Sequence, residues 1–413
     1  MDERGGQTIG ATEPWYGAAG PPAVVVASIL RPEGTTGVQT HVREFCEYVA
    51  DRGGAPALVT PFSWGRPIQA PVLGARFLFQ RWKPSAGVAW YRHWHEEFLC
   101  QALRRELSRL DDVVIYAHGP EAARAGLRAR KGPQQRVVMA AHYNVSQTEG
   151  WVDKGLLRRQ DNAYRAIRKM ESEVLPKVDG IVFVSDWARQ EILAWLPEIE
   201  RVPHAIIHNF VKAKTSTAGP MLGDLVTVGA LQPTKRHLFL LQTVAEAKKM
   251  GRPYTLDIYG GGPLQGQLRS AAHSLGVEQY VTFRGFRSDV RNFLPRYRGY
   301  VHACTTETGP IAIIEAMAAG LPIVAPNAGG IPELFDNDVE GRYISTEDAT
   351  EAATSLIELL ADEPARANYA SAAADRFSRD FDVKVIGPQL EAFVVRGGGT
   401  RPPAPQQGQT KSR

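Results

Sequence analysis

The feature that most constrains this chain is an alternation that runs through it twice. Short β-branched runs recur at residues 24–26, 58–60, 113–116, 137–139 and 181–184, with helical stretches between several of them. Val38, Val42, Phe45, Cys46 and Val49 show the 3–4 spacing of one apolar helix face. After a small, polar seam at 211–222 the pattern restarts, with buried-strand runs at 225–228, 256–259, 281–283 and 323–325. Apolar strands separated by helices form a parallel sheet covered on both faces. Two such series predict an α/β fold of two facing Rossmann-like domains with a cleft between them. The expected boundaries are a first domain at 21–212 and a second domain at 213–379. Disordered tails are expected at 1–20 and 397–413. In such sheets ligands sit outside the carboxyl ends of the strands, so the residues just after each strand carry the functional question.

Composition narrows the function. Among 413 residues, 48 Lys and Arg against 44 Asp and Glu leave a formal charge of +4. That is too mild for the dense basic stripe of a dedicated nucleic-acid binder. Cys46, Cys100 and Cys304 are far apart and odd in number, so they build neither a disulfide framework nor a zinc motif. A reducing cytoplasm is the expected compartment. The first residues lack the basic start of a signal peptide, and no apolar run reaches the length of a membrane span.

The most specific stretch is 305–333, TTETGPIAIIEAMAAGLPIVAPNAGGIPE. Pro310 falls where a helix would start, Ile311, Ile314 and Met317 give that helix a buried face, and Gly320 ends it. The amides of Ile311 and Ala312 would then lie free at a helix start, a ready anion site. Glu307 precedes it and Glu315 follows about two turns on, ~12 Å away along a helical path. A carboxylate beside such an anion site points to sugar or ribose hydroxyls. Two solvated glutamates on a surface unit are the plain alternative.

This segment resembles the signature of the GT-B fold retaining glycosyltransferases of family 4, the glycosyl transferases group 1. Glu307, Glu315, Gly320, Pro322, Gly329, Gly330 and Glu333 match its pattern, although the family usually has glycine where Pro310 stands. The run from Val228 to Lys235 resembles the family's phosphate-binding loop, Gly260 to Pro263 its G-x-G-P turn, and Phe283 to Phe286 its F-x-G motif. The resemblance covers about 22–396, and it implies that a last helix, from Phe377 to Phe393, returns over 380–396 to pack on the first domain.

It implies a retaining, metal-independent hexosyltransferase with no cofactor beyond a nucleoside-diphosphate sugar donor. Lys235 would meet the diphosphate. Arg236 would stand in for the family arginine that Ala230 replaces. His142, at the end of the run 137–141, would orient the reacting centre, with His118 as its competitor. Glu307 would hold the sugar and Glu315 the ribose. Gly37, Phe286, Pro310, Ile311 and Ala312 complete the expected donor site. The acceptor would be a glycan, a lipid-linked sugar or a natural product, as in polysaccharide biosynthesis. A nucleotide-sugar epimerase of the same fold and an inactive nucleotide-sugar-binding scaffold are the alternatives.

Residues 76–110 mix Phe77, Phe79, Trp82, Trp90, Tyr91, Trp94 and Phe98 with Arg76, Arg81, Lys83, Arg92, Arg104 and Arg105. An aromatic core face is the simpler reading. An interfacial helix in peripheral contact with the inner face of the membrane, or a wall of the acceptor cleft, is the other.

Overall fold

In the computed structural model, residues 23–34, 36–65, 67–213 and 219–395 are described. The tails expected at 1–20 and 397–413 lie outside them. Two sheets of six parallel strands divide the chain. The first holds β1 (Ala23–Ser28), β2 (Ala57–Val59), β3 (Val113–His118), β4 (Gln135–Ala141), β5 (Gly180–Phe183) and β6 (His204–Ile206), in the order β2-β1-β3-β4-β5-β6. The second holds β7 (Leu225–Val228), β8 (Leu256–Tyr259), β9 (Val281–Gly285), β10 (Gly299–Val301), β11 (Ile323–Pro326) and β12 (Gly341–Ile344), in the order β12-β11-β10-β7-β8-β9. β3 and β4 are buried through almost their whole length, as expected of central parallel strands covered on both faces.

The strand order reverses between β1 and β3 in the first sheet and between β7 and β10 in the second. Connections on the two sides of such a point leave in opposite directions and open a crevice at the strand ends. The loops after β1, β3, β7 and β10 are therefore the ones placed to bind.

The chain crosses between domains at two adjacent points. Val211 pairs with Asp382 in an isolated parallel bridge; Val211 N donates to Phe381 O and Val383 N donates to Val211 O. This crossing breaks what the resemblance implies as one continuous last helix from Phe377 to Phe393. The structure has two helices, Glu363–Asp380 and Val383–Val395. Phe377 and Phe381 stay in the second domain's core. Val383, Ile386, Leu390 and Val394 pack on the first domain against Val42, Phe45 and Tyr48. Burying each aliphatic side chain contributes ~1.5–3 kcal/mol relative to exposure, which fixes the returning helix to the first domain.

Candidate active site in the interdomain cleft

The second domain supplies a charged pair. The loop after β7 carries Lys235 and the loop after β10 carries Glu307, so the two strands flanking the switch point bring them together as a direct ion pair. His302 Nε2 lies 3.6 Å from the same Glu307 oxygen. Burial pulls the Glu307 carboxyl up, but Lys235 and His302 outweigh it and hold it below the usual carboxylate value. Burial also opposes the charge on Lys235, and Glu307 overcomes that and raises it. Both groups are therefore charged at neutral pH. Burial pushes His302 and His237 down to about 4, so both are neutral beside the pair.

Gly329 and Gly330 shape the loop that carries Glu307. Gly329 has φ +60°, and a Cβ there would come within 2.5 Å of the Glu307 carbonyl oxygen; one at Gly330 would meet the Thr308 carbonyl at 2.0 Å. Gly330 N donates to Glu307 O at 2.8 Å. The helix that follows spans Ile311–Ala318, with Pro310 as the extended residue before it (ψ 109°) rather than in its first turn. A proline here leaves the Ile311 and Ala312 amides at the helix start all the same. Gly320 terminates the helix with φ +67°, and Leu321 N donates to Ala316 O, the capping expected of a left-handed glycine.

The first domain supplies three neutral histidines. In the register of β3 and β4, His118 pairs with Ala140, so His118 and His142 end on adjacent strands. Their rings stack at 5.2 Å with 14° between planes, and His118 Nδ1 lies 3.1 Å from His142 Nε2. His41, from the helix Gly37–Asp51, meets His142 edge-on at 4.7 Å. Asn209 Nδ2 donates to Gly309 O at 2.7 Å, which leaves Asn209 Oδ1 to accept from His41 Nδ1 and His41 Nε2 to accept from the Tyr116 hydroxyl, each at 3.0 Å. Burial pushes His41 down to about 4 against the pull of Asn209. Burial, then His41 and His118, push His142 well below the ordinary imidazole value; burial and His41 do the same to His118.

Four connections hold the two halves face to face. Asn144 Nδ2 donates to Thr306 O at 2.6 Å. Asn209 reaches Gly309 as described. Glu333 accepts from Asp186 N and Trp187 N, both at 2.8 Å, at the start of the helix Asp186–Trp195. Arg291 bridges Glu44 of the first domain and Glu315 of the second, the latter at 3.1 Å. Between the halves lies a cavity of about 110 Å³, lined by Asn144, Asp153 and Lys154 on one side and by Lys235, Cys304 and Glu307 on the other. Burial, with Lys235 nearby, lowers the Lys154 ammonium below its usual value although Asp153 opposes this.

Of the expected site residues, the structure brings Lys235 and Glu307 into contact. It also places Gly37 against Ile311, where a Cβ on the glycine would sit 3.6 Å from Ile311 Cδ1. Arg236 does not join them. Its backbone is left-handed (φ 50°), and its side chain donates to Thr346 O at 2.7 Å and pairs with Glu347 at 3.2 Å. Phe286 stands exposed beyond β9. Glu315 is engaged by Arg291. His118 and His142, read as competitors, are one stack. His41, Asn144, Lys154 and Arg291 were not among the expected site residues. His41 lies four residues past Gly37 in the helix that the glycine loop opens; the other three lie in no local motif, and only the fold gathers them.

Among the described residues, two groups have metal-ligand atoms within 4.8 Å of one another: His41, His118 and His142, and His302, Cys304 and Glu307. In the first, both His41 nitrogens already have partners and His118 meets His142. In the second, Lys235 already occupies Glu307. These contacts describe a hydrogen-bonded stack and an ion pair more directly than cation sites.

Comparison with known proteins agrees with this two-domain fold. Residues 218–376 match the family described as Glycosyl transferases group 1, and residues 35–214 match Glycosyltransferase Family 4. The chain belongs to the group 1 glycosyltransferases. It is 25% identical to a phosphatidyl-myo-inositol mannosyltransferase of Mycobacterium leprae over 86% of this chain and 91% of that protein. It also matches an exopolysaccharide phosphotransferase of Streptomyces coelicolor at 24% identity, and there the chain spans only 29% of the relative's length. Among solved structures, the Anabaena protein HepE in complex with UDP and glucose aligns with a TM-score of 0.65 at 19% identity, covering 91% of this chain and 99% of that one. A sucrose-phosphate synthase from Thermosynechococcus elongatus aligns with a TM-score of 0.71 at 15% identity, covering 91% and 98%. These likenesses establish the two-domain GT-B fold.

Proposed function

We propose that this glycosyltransferase moves a hexose from a nucleoside-diphosphate sugar to a glycan, lipid-linked or natural-product acceptor, with retention at the anomeric carbon and without a metal ion. The observation that carries the reading is the Lys235–Glu307 ion pair at the β7/β10 switch point, facing the first domain across the cleft. With no donor bound, each charge neutralises the other, which avoids burying either alone. A donor diphosphate would take Lys235 and the Ile311 and Ala312 amides, and would free Glu307 to accept hydrogen bonds from the sugar. Lys235 and the helix start would stabilise the leaving diphosphate electrostatically, commonly a large part of catalysis. Glu315, held by Arg291, is assigned to the ribose. His142, neutral, would face the sugar from the first domain, and its ring is oriented by His118. Attack from the face of departure, with a donor phosphate oxygen taking the acceptor proton, would give retention. We place the enzyme in the cytoplasm, at the inner face of the membrane.

A thermal-shift panel of nucleotide sugars tests the reading, since a ligand bound only by the native state raises the midpoint by linkage. One donor should stabilise the protein and release nucleoside diphosphate only when acceptor is added. Turnover of the donor alone into an isomeric nucleotide sugar would replace this reading with that of an epimerase.

A further inference from the structure

The aromatic and basic stretch divides in the structure. In the helix Pro84–Leu107, Val88, Phe98, Leu99 and Leu103 are buried, so this part is core. The preceding helix, Arg76–Trp82, has no buried residue. Phe77, Leu78 and Trp82 are 62%, 73% and 83% exposed, and Ile68 just upstream is 58% exposed. Phe77 and Arg81 are four apart, as are Leu78 and Trp82, and Leu78 and Arg81 are three apart, so the four form adjoining rows on one broad side of the helix. The opposite face is anchored. Phe79 packs on Trp90 at 4.6 Å between ring centres, and Gly87 lets the two helices meet so closely that a Cβ there would lie 2.7 Å from Gln80 Cα. A rigid element thus holds three large apolar side chains out in water, where a monomeric soluble protein rarely clusters them.

Charge says what covers this face. Between Asp51 and Glu96 the sequence has no acidic residue, while Arg52, Arg66, Arg76, Arg81, Lys83 and Arg92 lie in that interval. Arg81 and Lys83 flank Trp82, and both are exposed. Arg52 and Arg92 are paired with Glu391 and Glu121, which leaves Arg81 and Lys83 as the exposed cations beside the apolar side chains. That mixture suits an anionic lipid surface, where the rings enter the interface and the cations meet headgroups.

The placement joins this face to the site. A helix connecting parallel strands runs against them, so the start of Pro84–Leu107, with Trp82 and Lys83 beside it, lies at the strands' carboxyl ends, the side of the cleft. A series of contacts continues inward: Arg76 sits 5.1 Å from the Tyr91 ring, Tyr91 lies 5.8 Å from Trp151, and Lys154 is 5.3 Å from Trp151 and lines the catalytic cavity.

We propose that the exposed face of Arg76–Trp82, with Ile68, docks the enzyme on an anionic bilayer and turns the cleft toward an acceptor carried by lipid. The proposal rests on the membrane placement given above and names its docking element. The test is sedimentation of the full chain with vesicles of phosphatidylcholine alone or mixed with phosphatidylglycerol, at low and high salt. Binding to the anionic vesicles only, weakened by salt, is expected. Arg81→Gln with Lys83→Gln should lower that binding about thirty-fold. Phe77→Ser with Trp82→Ser should lower it at least as much, and Trp82→Phe should remove a blue shift in tryptophan emission on adding vesicles. Both sets of variants should keep the wild-type thermal shift with the donor, which separates failure of docking from failure of the transferase reading. Equal binding to both vesicle types, no binding at low salt, or undiminished binding by the variants would overturn the proposal. So would a wild-type dimer, seen by light scattering, that the variants dissolve without any effect of lipid.

Discussion

Replacing Glu333 with alanine removes the two hydrogen bonds by which the second domain caps a first-domain helix. Its carboxylate accepts from Asp186 N and Trp187 N at 2.8 Å, so the bonds form only when the domains are closed. A hydrogen bond to a charged group is worth ~1.5–3 kcal/mol, and a carboxylate at a helix start adds ~0.3–1 kcal/mol. Water takes both partners in the open form, so the net loss is set near the value of one charged bond, ~1.5–3 kcal/mol, or about 10- to 150-fold in the closed population. In the proposed mechanism, turnover needs His142 from one domain beside Lys235 and Glu307 from the other. Glu333→Ala should therefore lower kcat/KM by about 10- to 100-fold, while nucleoside diphosphate affinity, set by the second domain, stays within about threefold. Glu333→Gln keeps one acceptor oxygen and should fall between. Small-angle scattering should show a larger radius of gyration for Glu333→Ala. Wild-type kcat/KM in that variant, or a loss of nucleotide affinity equal to the loss in turnover, would refute the reasoning.

Three further outcomes follow from the site. His142→Ala should lower kcat by roughly 10²-fold with little change in nucleotide affinity, as expected for one transition-state contact, measured by initial rates beside calorimetry. Glu315→Gln should weaken binding of both nucleoside diphosphate and intact donor more than tenfold, whereas Glu307→Gln should spare the nucleotide and reduce turnover and sugar discrimination; calorimetry with each ligand distinguishes them. His41, His95, His237 and His302 are held down to about 4, and His118 and His142 well below the ordinary value, burial being the largest cause in each. These groups are neutral when folded and protonate below about 6.5 when unfolded, so their stability contribution is full above that pH and is lost as pH falls toward 4. Each adds ~1.4 kcal/mol per pH unit in that window, and His237→Gln should flatten the fall in chemical-denaturation stability between pH 6 and 4.5, a window set by these shifts, by about one proton's worth.

The alternation of apolar runs made the two-domain fold legible, because a parallel strand buried on both faces leaves a local apolar signature. β10 escaped notice for the same reason: Gly299, Tyr300 and Val301 are three residues with one glycine, too short to show a period. β6 and β12 are likewise brief. Lys235 and Glu307 were legible because their loops carry recognisable glycine and proline spacing. Arg236 misled because its proximity in sequence to Lys235 says nothing of direction, and its left-handed backbone sends the side chain to Thr346. Lys154 is the cation the cleft offers instead. It had no motif, and only the closure of the first domain over the second brings it beside Lys235. The seam at 213–222 was visible as a change of composition and the return near 380 only through the family resemblance, while their adjacency through Val211 and Asp382 is a property of the fold alone.

In the proposed function, Lys235, Glu307 and His142 form one metal-free, retaining transfer site. Proton NMR of the anomeric signal tests this, following wild-type protein with the donor found by thermal shift, its acceptor and excess EDTA. The expected result is acceptor-dependent product with the donor's anomeric configuration, at a rate unchanged by the chelator and lowered at least tenfold by Lys235→Ala, as for the loss of one charged contact to the leaving group. An inverted product, loss of turnover in EDTA that magnesium or manganese restores, or full activity in Lys235→Ala would contradict it.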